Sequence, residues 1–183
     1  MSKALVIVDM QNDFSACRDN LRNVKQSVAK LVKYFNRRNW PIIVVEFKGN
    51  GDTCPEVKFL IQNFEKRLVI KESVGGGKEL LEYISANNLE HITDFIFCGV
   101  NTCQCVMETA KGFREKTNKR CYVSFRACSC VCDQKYDGTK NKYVQHPANL
   151  YQEHCRTSYE TGNVRISRKQ GTQSQTPTGL VVA

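Results

Sequence analysis

Three residues with chemistry of their own sit at or just beyond the ends of apolar runs. Asp9 closes Ala4-Leu5-Val6-Ile7-Val8, and Lys71 closes Leu68-Val69-Ile70. Cys105 lies in Thr102-Cys103-Gln104-Cys105-Val106, shortly after the run from Asp94 to Cys98 and Gly99. Each alone has an ordinary reading: an acid in a loop, a solvated lysine, a cysteine in the core. Together they are the equipment for acyl transfer through a thioester. A free thiol has a pKa of about 8.5 and attacks as the thiolate. The start of a helix offers unpaired N–H groups and a partial positive charge, which favour that thiolate and can hold an oxyanion. A carboxylate beside it can take the thiol proton and pass it to a leaving group. A lysine keeps the carboxylate ionised.

For the three to meet, the elements between them must deliver their ends to one edge. The run 4–8 suits a strand buried on both faces. Residues 18–39 place Leu21, Val24, Val28, Leu31, Val32 and Phe35 at intervals of three and four, which predicts an amphipathic helix. Pro41 stops it, and 42–45 is the second strand. A short helix over 55–64, a strand over 68–70 and a helix over 78–87 follow. A strand over 94–98, a helix over 102–116, a strand over 120–125, a helix over 146–155 and a last strand over 162–166 complete the series. The alternation predicts an α/β fold: a three-layer, doubly wound, mostly parallel six-stranded sheet with helices on both faces. In such sheets sites form at the carboxyl ends of strands, where Asp9, Lys71 and Cys105 fall.

With 183 residues the chain has room for one hydrophobic core. Hydrophobic residues at 41% and charged residues at 25% exclude disorder, collagen and coiled coil for most of its length. No apolar run nears the ~18 residues of a membrane span, so no membrane partner is expected. The opening residues carry too short an apolar stretch for a signal peptide, and a cytoplasmic location is expected. The ten cysteines are read accordingly as thiols. The formal charge of +9 is uneven: residues 1–110 carry a net +1 and residues 111–183 a net +8. The basic residues are scattered and no recognition motif accompanies them, so a solvated face is the reading and nucleic acid is not expected as a partner. From 167 the chain is polar and without acids, which predicts one domain over 1–166 and a disordered tail over 167–183.

Three stretches carry a family resemblance: Ala4-Leu5-Val6-Ile7-Val8-Asp9-Met10-Gln11-Asn12-Asp13-Phe14, Val69-Ile70-Lys71-Glu72-Ser73, and Cys98-Gly99-Val100-Asn101-Thr102-Cys103-Gln104-Cys105-Val106-Met107-Glu108-Thr109-Ala110. With them the chain resembles the isochorismatase-like cysteine hydrolases, which include nicotinamidases and N-carbamoylsarcosine amidases. The third stretch follows that family's Gly-Val-x-Thr-x-x-Cys-Val-x-x-Thr-Ala pattern. The resemblance implies a catalytic triad of Asp9, Lys71 and Cys105, a cis peptide between Val100 and Asn101, and an oxyanion hole from the amides of Asn101 and Cys105. It makes Phe14 a pocket wall, against its plain reading as a core aromatic. Gln11 and Ser73 are further candidates for touching substrate, and Ser73 could instead support Lys71. Isochorismatases that cleave a vinyl ether often lack the cysteine, so Cys105 points to C–N hydrolysis of a small amide, ureido or carbamoyl compound. Nicotinamidases carry histidines for a metal after the second strand; residues 46–55 here have none, so no metal and no organic cofactor are expected. The family implies a homo-oligomer, dimer or tetramer. The alternatives are a vinyl-ether or other non-amide hydrolase with Cys105 a bystander, and a non-catalytic binding protein using the basic C-terminal half.

Other constellations have plainer readings. Cys103 and Cys105 point about 200° apart on a helix, which disfavours a disulfide. Cys128, Cys130 and Cys132 do not have zinc-knuckle spacing; in a strand they would share one face as buried thiols, with soft-metal binding the alternative. Gly75-Gly76-Gly77-Lys78 lacks the phosphate-loop order and reads as a turn feeding a helix that could also govern access. Trp40, before Pro41, falls at the far end of the second strand from the site and is read as packing.

Overall fold

Five apolar residues in a row can bury both faces of a strand, and β1 (Lys3–Val8) does so: Ala4 to Val8 are fully buried near the middle of the sheet. This fold is that of a computed structural model, which describes residues 2–14, 21–129 and 156–157. Helix α1 (Leu21–Asn36) turns Val24, Val28, Leu31, Val32 and Phe35 inward at helical spacing. After it Asn39 adopts a left-handed φ of 53°, Pro41 blocks further helix, and β2 (Ile42–Phe47) begins. Trp40 packs edge-on against Tyr34 and Phe35 at this end of β2, far from the strand ends that carry the polar residues.

The remaining elements are α2 (Pro55–Lys58), β3 (Leu68–Lys71), α3 (Gly77–Ala86), β4 (Asp94–Val100), α4 (Met107–Glu115), β5 (Arg120–Ser129) and β6 (Arg156–Thr157). The six strands form one sheet in the order β3-β2-β1-β4-β5-β6, and every pairing is parallel. The connection β1-α1-β2 steps one way across the sheet and β3-α3-β4 steps back the other way. Right-handed crossovers therefore put α1 and α3 on opposite faces. The order reverses between β1 and β4, and at that reversal Asp9 and Asn101 leave their strands.

Three expectations are corrected. The helix over 55–64 covers only Pro55–Lys58: Asn63 takes a left-handed φ of 52°, and a 3-10 turn runs over Phe64–Arg67. Val57, Ile61 and Phe64 are buried all the same, so the apolar spacing is satisfied without one continuous helix. The helix over 102–116 opens with a π turn at Thr102–Val106, because the Val106 N–H reaches back five residues to the Asn101 carbonyl (3.1 Å). Strand β5 runs on to Ser129 past a shift in register: Phe97 faces Val123, but Gly99 faces Cys128 and Val100 faces Ser129. The sixth strand is Arg156–Thr157; the expected strand over 162–166, the helix over 146–155 up to that strand, Cys130, Cys132 and the tail lie outside the described residues.

Candidate active site

Asp9 is the first residue after β1, and its φ of 51° turns the chain out of the strand. Gly99, paired with Val8, has a φ of 121° and approaches so closely that a Cβ there would run into the Val8 carbonyl. Only glycine allows β1 and β4 to lie this tightly where the site begins. The peptide between Val100 and Asn101 is cis, as the resemblance implied.

Lys71 ends β3, two strands from β1, and must cross β2 to reach Asp9. Its stem runs beside Gly76: a Cβ at Gly76 would lie 3.0 Å from both Lys71 Cδ and Val45 Cγ1. The glycine run thus does more than turn the chain into α3. Gly76 leaves the corridor for the lysine, and its N–H is held by the Thr109 hydroxyl of α4 at 3.0 Å. Gly77 lets α3 abut the backbone of Gly112 and Phe113. At the end of the corridor Lys71 Nζ lies 2.9 Å from Asp9 Oδ2 and donates to the Val74 carbonyl at 2.6 Å. Neither side chain of the Asp9–Lys71 pair has any exposed surface.

Cys105 sits in the π turn, 4% exposed. Its thiol and the Asp9 carboxyl lie near enough for each to shift the other's ionisation, while neither Asp9 carboxyl oxygen has a hydrogen-bond partner among the described residues. The Asn101 carbonyl takes the N–H groups of Gln104 and Val106 at 3.1 Å each, so the amide of Cys105 is not one of its donors. Burial first, then the charge of Asp9, push the Cys105 thiol up to about 11. Burial also holds the Asp9 carboxyl above its ordinary value, against the pull of the Lys71 ammonium and the thiol. At neutral pH the resting sulfur is therefore a protonated thiol. The three residues singled out in the sequence are one contiguous group: ammonium, carboxyl group, thiol.

The other candidates are placed differently. Gln11 is buried and its amide is fully engaged: it donates to the carbonyls of Phe47 (3.0 Å) and Gly51 and accepts from the Phe47 N–H (2.7 Å). It pins the loop after β2 onto the loop after β1. Phe14 is half-buried against the core. Ser73 is exposed and donates to the Gly75 carbonyl at 2.9 Å. Asn101 is buried beside Cys105. Cys54, Cys98 and Cys105 are free thiols, and Cys98 and Cys128 are buried.

One buried acid beside these residues was not singled out in the sequence. Glu46 is a buried carboxylate one step past the Val8–Val45 pair, next in register to Asp9. It accepts the Thr53 N–H at 2.8 Å, and its charge works against ionisation of Asp9. The signal was present: it is the one acid in the apolar run Ile42-Ile43-Val44-Val45-Glu46-Phe47.

Known proteins share this arrangement of strands. The model of the isochorismatase domain matches residues 3–148, most of the chain. No curated protein sequence matches it. Among solved structures, N-carbamoylsarcosine amidase from Thermoplasma acidophilum is 18% identical, with a TM-score of 0.65 over 86% of this chain and 95% of that one. An isochorismatase-like hydrolase from Alkaliphilus metalliredigens is 17% identical, with a TM-score of 0.63 over 85% and 92%. The YcaC gene product of Escherichia coli, an octameric hydrolase of unknown specificity, is 21% identical, with a TM-score of 0.60 over 70% and 64%. This chain thus spans just under two thirds of the YcaC length. A family model matched over most of the chain, on a doubly wound parallel sheet, leads to one conclusion: the chain belongs to the isochorismatase family and is a hydrolase.

Proposed function

We propose that this hydrolase cleaves a C–N bond of a small amide, ureido or carbamoyl compound through a thioester on Cys105. The observation that carries the reading is a fully buried Lys71–Asp9 ion pair whose carboxyl group lies close enough to the Cys105 thiol to act on its ionisation. Cys105 Sγ attacks the carbonyl carbon as its proton passes to Asp9, so that no free thiolate has to exist beforehand. The developing oxyanion takes hydrogen bonds from the backbone amides of Asn101 and Cys105. The tetrahedral centre collapses, the C–N bond breaks, and Asp9 returns its proton to the departing nitrogen as ammonia or an amine. Water then attacks the thioester, gives its proton to Asp9, and the acid and the free thiol are regenerated.

Lys71 takes the part of a countercharge. Its fixed charge lets Asp9 hold a negative charge out of water, and its bond to the Val74 carbonyl keeps the ammonium aimed. Gln11 supports the pocket floor through the loop after β2. Phe14 and Ser73 stand near enough in the chain to Asp9 and Lys71 to border substrate. No step calls for an organic cofactor.

The relative from Thermoplasma acidophilum is an amidase by name, which supports C–N chemistry. The octameric YcaC supports a homo-oligomer here. No described helix is long and apolar enough to cross a membrane, and free thiols suit a reducing compartment such as the cytoplasm.

The test is ammonia release over a panel of primary amides, ureas and carbamates, run with wild type and Cys105→Ala. Wild type turns over at least one member, and the variant loses at least about 10⁴-fold. Intact-mass analysis of a rapidly quenched reaction finds an acyl adduct on the Cys105 peptide. Undiminished ammonia release in Cys105→Ala would make the cysteine a bystander, and no release by wild type from any member of the panel would favour a non-amide hydrolase.

A further inference from the structure

Asn101 stands between the end of β4 and the π turn that holds Cys105. Asp9 and Asn101 leave paired strands, one and two residues past the Val8–Gly99 pair. The Asn101 backbone lies near enough to the Cys105 thiol to act on its ionisation. Asn101 is the N-cap of the turn, where an Asn side chain ordinarily accepts a backbone N–H two or three residues on. It makes no such bond here. Its backbone carbonyl ties the turn instead, through the N–H groups of Gln104 and Val106. The residue is 8% exposed, and its side-chain Oδ1 is buried without a hydrogen-bond partner among the described residues.

A buried acceptor left unbonded destabilises a fold, and such a group calls for a reason. The carboxylates of Asp9 and Asp94 have theirs in the cations beside them, Lys71 and Arg120. The neutral amide of Asn101 has no such neighbour to account for it, and it does not cap its turn. The chemistry of the site supplies a reason. In the mechanism above the substrate carbonyl oxygen meets the backbone amides of Asn101 and Cys105. A scissile –NH2 group also brings two N–H donors out of water, and these need acceptors. Asp9 cannot be a fixed acceptor, because it takes up the thiol proton and hands it back. A neutral oxygen keeps the same state through the cycle. The terminal torsion of an Asn side chain is broad, so Oδ1 can turn toward a bound group while the backbone stays in place.

We propose that the side-chain carbonyl of Asn101 accepts an N–H of the scissile –NH2 group, which makes Asn101 a specificity-determining residue. The contact selects an unsubstituted carboxamide, ureido or carbamoyl end, with ammonia as the leaving group, over an ester of the same acid. It rests on the C–N cleavage proposed above and adds the residue that reads the nitrogen.

Steady-state kinetics of the full chain with Asn101→Leu and Asn101→Ala test it, on the best primary amide of the panel and on the methyl ester of the same acid. Leu keeps the branched shape of Asn without its polar atoms, and Ala removes the side chain beyond Cβ. In both variants kcat/KM is expected to fall at least about tenfold further for the amide than for the ester, since a site built to bond an N–H loses that preference with the acceptor. Asn101→Leu should unfold at a temperature no lower than wild type, because the oxygen it lacks had no partner to lose. An equal fall on amide and ester would make the side chain a donor to the oxyanion and overturn the proposal. Lowered unfolding temperatures with an unchanged amide-to-ester ratio would make Asn101 structural, and overturn it as well. In either case a wild type that cleaves the amide leaves the C–N reading standing. A wild type that cleaves no amide overturns both.

Discussion

Lys71 Nζ lies 2.9 Å from Asp9 Oδ2, and neither side chain meets solvent. Two charges withdrawn from water are tolerable only as a pair; removing one partner strands the other. Lys71→Met is therefore expected to cost about 3–5 kcal/mol of stability in urea unfolding. Asp9→Asn/Lys71→Met, which removes both charges, should recover much of that loss while remaining inactive. A single Lys71→Met variant as stable as wild type would mean that water reaches this pair.

The thiol and the carboxyl group give a prediction in which chemistry and reactivity part company. Burial and the Asp9 carboxylate together hold the Cys105 thiol at about 11. A neighbouring negative charge disfavours a second one, so Asp9→Asn must lower that pKa and leave Lys71 as the nearer charge. In Asp9→Asn, iodoacetamide should label Cys105 faster at pH 8–9 than in wild type, read from the mass of the Cys105 peptide. Amide turnover should nevertheless fall by about 10²–10⁴-fold, because the proton acceptor is gone. Labelling that moves to higher pH would show that Asp9 is not the group facing the sulfur.

Gly99 is a mechanical prediction. Its φ of 121° and the Val8 carbonyl leave no place for a Cβ, with Val8 C only 2.9 Å from where it would stand. Gly99→Ala should destabilise by about 3 kcal/mol or more, through backbone strain and overpacking at the β1–β4 seam. A melting point within the error of wild type would show that the seam can open. Gly49→Ala is the matched comparison: it too has a positive φ, of 82°, but nothing within 4 Å of its Cβ position.

Much of this site was legible because its parts are run ends. A buried parallel strand writes itself as consecutive apolar residues, so the residue that breaks the run, Asp9 or Lys71, marks the edge where sites form. Cys105 was legible as a thiol at a helix start. What the sequence concealed depends on neighbours distant along the chain. Gly76 reads as part of a turn until Lys71 is seen to pass beside it. Gln11 reads as a loop polar group until its amide meets Phe47 and Gly51. The shift that sets Cys128 opposite Gly99 comes from pairing between β4 and β5, which no local pattern records. The helix expected over 55–64 failed for a related reason: its apolar spacing was sound, but a bend buries the same residues.

Glu46 supplies the pH prediction. Asp9 must be ionised to receive the thiol proton, so turnover falls on the acid side as the pH drops through the Asp9 pKa. That pKa is raised, foremost by burial, with the Glu46 charge adding in the same direction. Glu46→Gln removes the charge and keeps a carbonyl oxygen for the Thr53 N–H, now accepted at 2.8 Å by Glu46 Oε1. With one negative neighbour fewer, Asp9 ionises more readily, and the acid limb of kcat/KM should move to lower pH. Glu46→Ala removes charge and hydrogen bond together. It should shift the limb the same way and also loosen the Asp52–Cys54 segment, raising KM and lowering the melting point. A purely structural Glu46 would show that loss of stability with an unmoved pH profile in both variants, and that result would remove Glu46 from the site.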